Sequence, residues 1–184
     1  MTEDNINNLL NKFSCSQDLD IENFLKEKAI KFERLLKART YLILNEEELI
    51  DSNDISNVNI YGYFSIALKV LTIPEECSNS KRKQLDGLSA KIHGKAITSI
   101  PCYLIGQLAR NSNVPRNILS GEKILEYAYS IILSSSELVG GRIIMVECHD
   151  CEKLISFYKE NNFSIIAEMP DNDVPMKQLI RRIK

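Results

Sequence analysis

The run Ser99 to Ala109, Ser-Ile-Pro-Cys-Tyr-Leu-Ile-Gly-Gln-Leu-Ala, most narrowly limits what this chain can fold into. It is almost continuously apolar with Pro101 at its start, which suits a strand buried within a sheet. A second run, Asn59 to Ile73, is rich in Ile, Tyr, Phe, Val and Leu and is closed by Pro74. It predicts another long strand. Two such strands call for a sheet whose faces are covered, and the rest of the chain has to supply the covers.

The remaining pattern does so. Asp20 to Ala38 places Ile21, Phe24, Leu25, Phe32, Leu35 and Leu36 at the spacing of an amphipathic helix, with Asp20 as its cap. Arg39 to Leu44 reads as a strand, Asn45 to Val58 as a polar, acidic loop, and Glu75 to Lys95 as a basic loop with a short helical turn. Arg110 to Ser120 is polar and contains Pro115. Gly121 to Leu133 carries the stripe Ile124, Leu125, Ala128, Ile131 and Ile132, which predicts a helix. Gly140-Gly141 reads as a turn, Arg142 to Cys148 as a strand and Cys151 to Asn161 as a short helix. Ser164 to Met169 and Met176 to Ile183 read as closing strands around a turn at Pro170 to Pro175. This order predicts an α/β (α+β) chain with a mixed sheet and helices on its faces. A length of 184 residues suits a single domain, 1–184.

Composition narrows the function classes. Hydrophobic residues at 44% and charged residues at 26% are in the globular range. No apolar run approaches the length that crosses a bilayer, and the start Met-Thr-Glu-Asp-Asn is unlike a secretory signal. The expectation is a cytoplasmic protein without a membrane partner. Cys15, Cys77, Cys102, Cys148 and Cys151 are odd in number and scattered, which does not suit a disulfide framework. Cys148-His149-Asp150-Cys151 has no second pair at finger spacing, so no metal is expected and the cysteines read as free thiols.

The net charge of −2 hides local patches. Glu46, Glu47, Glu48, Asp51 and Asp54 form an acidic stretch. Lys81, Arg82, Lys83, Lys91 and Lys95, against Asp86, form a basic one, and Lys177, Arg181, Arg182 and Lys184 make the C-terminal end basic. The two basic stretches read as solvated surfaces or as surfaces for an anionic partner. Aromatic residues for base stacking are absent from Lys81 to Lys95, so that patch alone does not establish nucleic-acid binding.

Three pieces that carry chemistry follow in order: the strand Ile105-Gly106-Gln107-Leu108-Ala109; a polar loop opening a helix, Arg116-Asn117-Ile118-Leu119-Ser120-Gly121; and a strand followed by a helix ending Phe157-Tyr158-Lys159-Glu160-Asn161-Asn162-Phe163. Backbone N–H groups at a helix start are unpaired and can hold a pyrophosphate, and Gly121 leaves room for close approach. Together these pieces resemble the GCN5-related N-acetyltransferase family. Arg116 to Gly121 sits where that family has a Gln/Arg-x-x-Gly-x-Gly/Ala loop, and Phe157-Tyr158 to Asn162-Phe163 is similar to its Phe-Tyr-x-x-x-Gly-Phe. Phe13-Ser14-Cys15, Leu19 to Leu25, Arg39-Thr40-Tyr41 and Gly62-Tyr63-Phe64 extend the resemblance to a subgroup that includes toxins acetylating aminoacyl-tRNA. Two departures stand out. Leu119 replaces the loop's first glycine, and a leucine there is expected to crowd a pyrophosphate or shift the backbone. Asn162 replaces a glycine, and Asn tolerates the left-handed region.

The resemblance implies a mostly antiparallel central sheet with helices on both faces, and acetyl-CoA as co-substrate. It implies cofactor contacts from Leu108, Ala109, Arg110, Arg116, Asn117, Ile118, Leu119, Ser120 and Gly121. A backbone N–H near Leu108 to Arg110 would stabilise the oxyanion, Arg110 and Arg116 would meet phosphates, and Tyr158 would serve as general acid to the leaving sulfur. Glu147, His149, Asp150 and His93 read as solvated polar residues rather than a general base. The acceptor is an amine, with charged tRNA and an antitoxin partner implied by the toxin subgroup and a homodimer by family analogy. A non-catalytic acyl-CoA binder is the further alternative, motivated by Leu119.

Overall fold

The computed structural model describes residues 3–51, 55, 58–169 and 175–183. The expected turn at Pro170 to Pro175, apart from Pro175, lies outside the described residues, as do Asp54 and Lys184. In chain order the strands are β1 (Arg39–Leu44), β2 (Ile60–Thr72), β3 (Lys91–Ile92), β4 (Lys95–Ala96), β5 (Ser99–Arg110), β6 (Ile143–His149), β7 (Ser164–Met169) and β8 (Met176–Arg182). Six of them form one sheet in the order β1-β2-β5-β6-β8-β7, while β3 and β4 make a separate small ladder. β5 and β6 are parallel, whereas β1 with β2, β6 with β8 and β7 with β8 are antiparallel. A parallel pair needs a crossover, and the helix between β5 and β6 supplies it. The two long runs are β2 and β5, with Leu68 and Val70 of β2 exposed.

The chain clusters into two compact units, one of residues 1–67 and 106–130, the other of 68–105 and 131–184. The first has its own core of Leu9, Leu10, Phe13, Leu25, Ile60 and Tyr63. Helix α1 (Glu3–Leu10) feeds it, although the sequence pattern predicts no helix there. The predicted helix from Asp20 to Ala38 is instead α2 (Leu19–Asn23), a π-helical turn (Phe24–Lys28) and α3 (Ala29–Arg34). Its cap is Asp18 rather than Asp20: the Asp18 carboxylate accepts from the N–H groups of Asp20 at 3.0 Å and Ile21 at 3.3 Å. The helix stops short because Leu36 turns left-handed at φ 56°, which leaves Leu35 and Leu36 exposed rather than in the core. The acidic stretch expected as loop contains α4 (Glu46–Asp51), whose first-turn carboxylates suit a helix N-terminus.

The second unit packs Leu71, Ile73, Leu85, Ile100, Cys102, Ile143 and Met145 together. The expected helical turn in the basic segment is a full helix, α5 (Asn79–Asp86), capped by the Ser78 hydroxyl on the Lys81 N–H at 3.2 Å. Arg82, read as part of a solvated patch, is buried. Its guanidinium donates to the carbonyls of Cys77 at 3.0 Å, Pro74 at 2.7 Å and Glu75 at 3.0 Å, and also to that of Ile97. The cation thereby supplies donors to four carbonyls of the connection between β2 and β5.

Helix α6 (Gly121–Val139) runs further than its predicted end, to the Gly140-Gly141 turn, where both residues have positive φ. Helix α7 (Glu152–Glu160) completes the unit. Among the described residues no helix is long and apolar enough to cross a membrane.

Candidate functional site

Leu108 to Gly121 belong to the first unit. Asn111, just past β5, anchors this stretch, a role not anticipated from the sequence. Its backbone N–H donates to Tyr61 O at 2.8 Å, its side-chain amide to Ile60 O at 2.8 Å, and its side-chain oxygen accepts from Asn113 N at 3.0 Å. A buried Asn tied to β2 in this way fixes where the following loop begins. The loop then turns on Pro115, whose carbonyl accepts from the N–H groups of Ile118 at 3.1 Å and Leu119 at 3.3 Å. Those two donors are therefore already engaged. Arg116, Asn117 and Ile118 are exposed, Ala109 is buried, and Leu108, Arg110, Ser120 and Gly121 are half-buried.

Leu119 packs into the first unit. It is buried, and its Cδ2 would lie 2.8 Å from a Cβ placed on Gly62. The Gly62 position is equally close to Ala109 O, at 2.9 Å, and to Ile124 Cδ1, at 3.1 Å. β2 thus dispenses with a side chain at 62 so that Leu119 can pack inward. The side chain that replaces the loop's first glycine is therefore part of the unit's packing.

The start of α6 is occupied from within. Ser120 caps it, its hydroxyl accepting from Lys123 N at 3.2 Å. The Glu122 carboxylate pairs with Arg116 Nη2 at 3.2 Å. That carboxyl is held below its usual range by its own backbone N–H, then by the Ser120 hydroxyl and Arg116. An anion arriving at this helix start must displace the Glu122 carboxylate before it can use the same donors.

Tyr158 lies in the second unit, on α7. It is buried between Phe157, with ring centroids 5.0 Å apart, and Phe163, at 5.5 Å, both edge-on. Burial, followed by the neighbouring Cys148, pushes its hydroxyl above the ordinary phenol range. The helix closes through Phe163 N donating to Tyr158 O at 3.0 Å. Asn162 takes φ 66°, the left-handed conformation anticipated for the residue that replaces glycine. Cys148 is buried, and burial pushes its thiol up to about 11, while Cys151 is exposed at the N-cap of α7.

The residues considered as bases are placed differently from one another. Glu147 is not simply solvated: both carboxylate oxygens accept from Lys69 Nζ at 2.7 Å, and Oε1 also accepts from Gln178 Nε2 at 2.8 Å. Asp150 pairs with Lys177 at 3.3 Å. His149 is exposed, and His93 is exposed at a left-handed corner between β3 and β4, φ 49°.

No protein-family model matches the chain, and no curated protein does. Solved structures do. AtaT complexed with acetyl-methionyl-tRNAfMet is 20% identical, with a TM-score of 0.66 over 94% of this chain and 86% of that one. A tyrosine-to-phenylalanine mutant of KacT is 17% identical, with a TM-score of 0.64 over 94% and 86%. AtaTR bound with acetyl-CoA is 20% identical, with a TM-score of 0.60 over 94% and 86%. At this level of identity the likeness establishes the fold. It is the mixed, mostly antiparallel sheet flanked by helices that the resemblance to the GCN5-related N-acetyltransferases implied.

Proposed function

We propose that this chain is an N-acetyltransferase that moves the acetyl group of acetyl-CoA to a primary amine. The observation that carries the reading is the likeness in fold, over 94% of the chain, to a structure bound with acetyl-CoA. The inward packing of Leu119 supports it further, because it removes the motive for a binder too crowded to turn over.

In the proposed reaction the amine nitrogen attacks the thioester carbonyl. A C–N bond forms, the C–S bond breaks, and the coenzyme leaves as a thiolate that takes up a proton. The amine's surplus proton goes to water, which suffices for an amine that titrates near ~8. Leu108, Ala109 and Arg110 would hold the pantetheine arm and supply the oxyanion donor. Arg116 and the α6 start would hold the pyrophosphate once Glu122 has moved aside. A free phenol titrates near ~10 and a thiol near ~8.5, so complete transfer from Tyr158 to sulfur is uphill by about 2 kcal/mol before burial is counted. Burial raises the phenol further. Tyr158 therefore acts by donating a hydrogen bond to the developing thiolate rather than by surrendering its proton early.

The aminoacyl group of charged tRNA is the finer acceptor reading, favoured by the likeness to AtaT with acetyl-methionyl-tRNAfMet. An antitoxin partner belongs to that same reading, and a homodimer rests on the wider family analogy. The test is a thermal shift with acetyl-CoA followed by turnover on an amine panel and on charged tRNA. A ligand that binds only the native state must raise its melting temperature. A shift with turnover is the expected result. A shift without turnover on either acceptor set leaves a binder, and no shift removes the reading altogether.

A further inference from the structure

Two basic stretches that lie far apart in the sequence meet in the second unit. Lys81, in the first turn of α5, and Arg182, the last residue of β8, line one cavity of about 180 Å³. Gln84, Asn162 and Ser164 add amide and hydroxyl groups to its wall, and the buried Leu85 and Ile180 lie at its core side. None of its lining residues is acidic. Among the described residues neither Lys81 nor Arg182 is held in an ion pair, whereas Lys69, Lys123, Lys177 and Arg116 each hold a carboxylate.

This donor set selects its ligand by charge and geometry. Two cations and no carboxylate repel a metal cation, with no anionic ligand to offset that repulsion. A mostly polar wall gives little to an apolar ligand. The space is about six times a water molecule's ~30 Å³ share of the liquid, enough for one tetrahedral oxyanion with some of its hydration. The Arg182 fork can pair with two oxygens at once, Lys81 supplies a point charge, and the neutral donors serve the remaining oxygens. We propose that this cavity binds a phosphate group, carried either by a nucleic-acid strand or by a small phosphorylated ligand. None of its lining residues is among those assigned to acetyl-CoA or to sulfur protonation, so the site stands or falls separately from acetyl transfer.

The test titrates the full chain with inorganic phosphate and with a short single-stranded RNA oligonucleotide, in wild type, Lys81→Ala, Arg182→Ala and Lys83→Ala. Lys83 is exposed on the same helix but does not line the cavity, so it controls for general charge. Thermal melts establish that each variant is folded, and an acetyl-CoA titration serves as an independent binding readout. The expected result is at least a tenfold loss of phosphate-group binding in Lys81→Ala and Arg182→Ala, with Lys83→Ala changed little. If the source is a strand, the oligonucleotide binds more tightly than inorganic phosphate. The slope of log affinity against log salt is then shallower by about 0.7 in each cavity variant, since one phosphate fewer is neutralised. If the source is a small ligand, inorganic phosphate binds at least as well as the strand. Binding of neither probe, or equal losses in all three variants, overturns the proposal.

Discussion

Leu119 and Gly62 are fitted to one another: a Cβ on residue 62 would lie 2.8 Å from Leu119 Cδ2, closer than real side chains approach. The residue that departs from the acetyltransferase loop pattern is thereby matched by the absence of a side chain on β2. Gly62→Ala would also meet Ala109 O at 2.9 Å, a backbone atom that cannot swing away. The expected cost is about 1–3 kcal/mol of stability, as for other overpacked cores. Leu119→Ala leaves a void instead and is expected to cost about 2–5 kcal/mol. Combining the two should recover only part of the loss, because the clash with Ala109 O persists. Denaturant unfolding of the three variants checks this. Acetyl-CoA affinity should not improve in Leu119→Ala, and a clear gain would show that the leucine does obstruct the ligand.

Glu122 competes with any anion for the start of α6, since its carboxylate already pairs with Arg116 and sits on its own backbone N–H. Glu122→Gln removes the like charge and is expected to tighten acetyl-CoA binding about three- to tenfold, from about 1 kcal/mol of relieved repulsion. Arg116→Ala should weaken it by a similar factor, and both effects should shrink at high salt. Calorimetric titration at two ionic strengths decides the matter. Unchanged affinity in both variants would place the phosphates elsewhere.

Arg82 is the cation that the sequence pattern misrepresents. Replacing it by Lys keeps the charge but loses the fork that reaches Cys77, Pro74, Glu75 and Ile97 carbonyls together. Hydrogen bonds to a charged group are worth about 1.5–3 kcal/mol each, so losing two or more predicts a destabilisation above about 3 kcal/mol. Lys83→Ala, one residue along and exposed, should change stability by less than about 0.5 kcal/mol. Similar melting temperatures for Arg82→Lys and wild type would refute the buried role.

These cases show which features the sequence discloses. β2 and β5 are legible because long, mostly apolar runs rich in β-branched and aromatic residues have few alternatives to a strand. Helix α1 is not, although Ile6, Leu9 and Leu10 have helical spacing, because the segment is short and rich in Asn. The helix after Asp18 is legible except for its π-helical middle, Phe24–Lys28, and its ends, where a single left-handed residue, Leu36, sets the C-terminal stop. Among site residues, the order of loop and helix is readable. Which backbone donors remain available is not: that depends on Pro115 O, Ser120 and Glu122 competing for them in three dimensions. Asn111 gives no signal, since a buried Asn and a solvated one look alike until their partners are known.

The pH dependence of turnover distinguishes the two ways Tyr158 can help. Burial holds its hydroxyl above the ordinary phenol range, so it stays protonated throughout neutral and mildly alkaline conditions. The amine, by contrast, must lose its proton to attack. An α-amine titrates near ~8, so kcat/KM should rise with pH through that region and then level off, with no fall below pH ~10. Tyr158→Phe deletes one hydrogen bond to a developing charge, worth about 1.5–3 kcal/mol, which corresponds to roughly a 10- to 150-fold loss in kcat. Acetyl-CoA affinity should be nearly unchanged, and the size of the loss should be the same at every pH between about 6 and 9. A descending limb in the wild-type profile that disappears in Tyr158→Phe would instead mean that the phenol gives up its proton in the rate-limiting step. Unaltered turnover in the variant would take Tyr158 out of the reaction entirely, leaving it as the aromatic packed between Phe157 and Phe163.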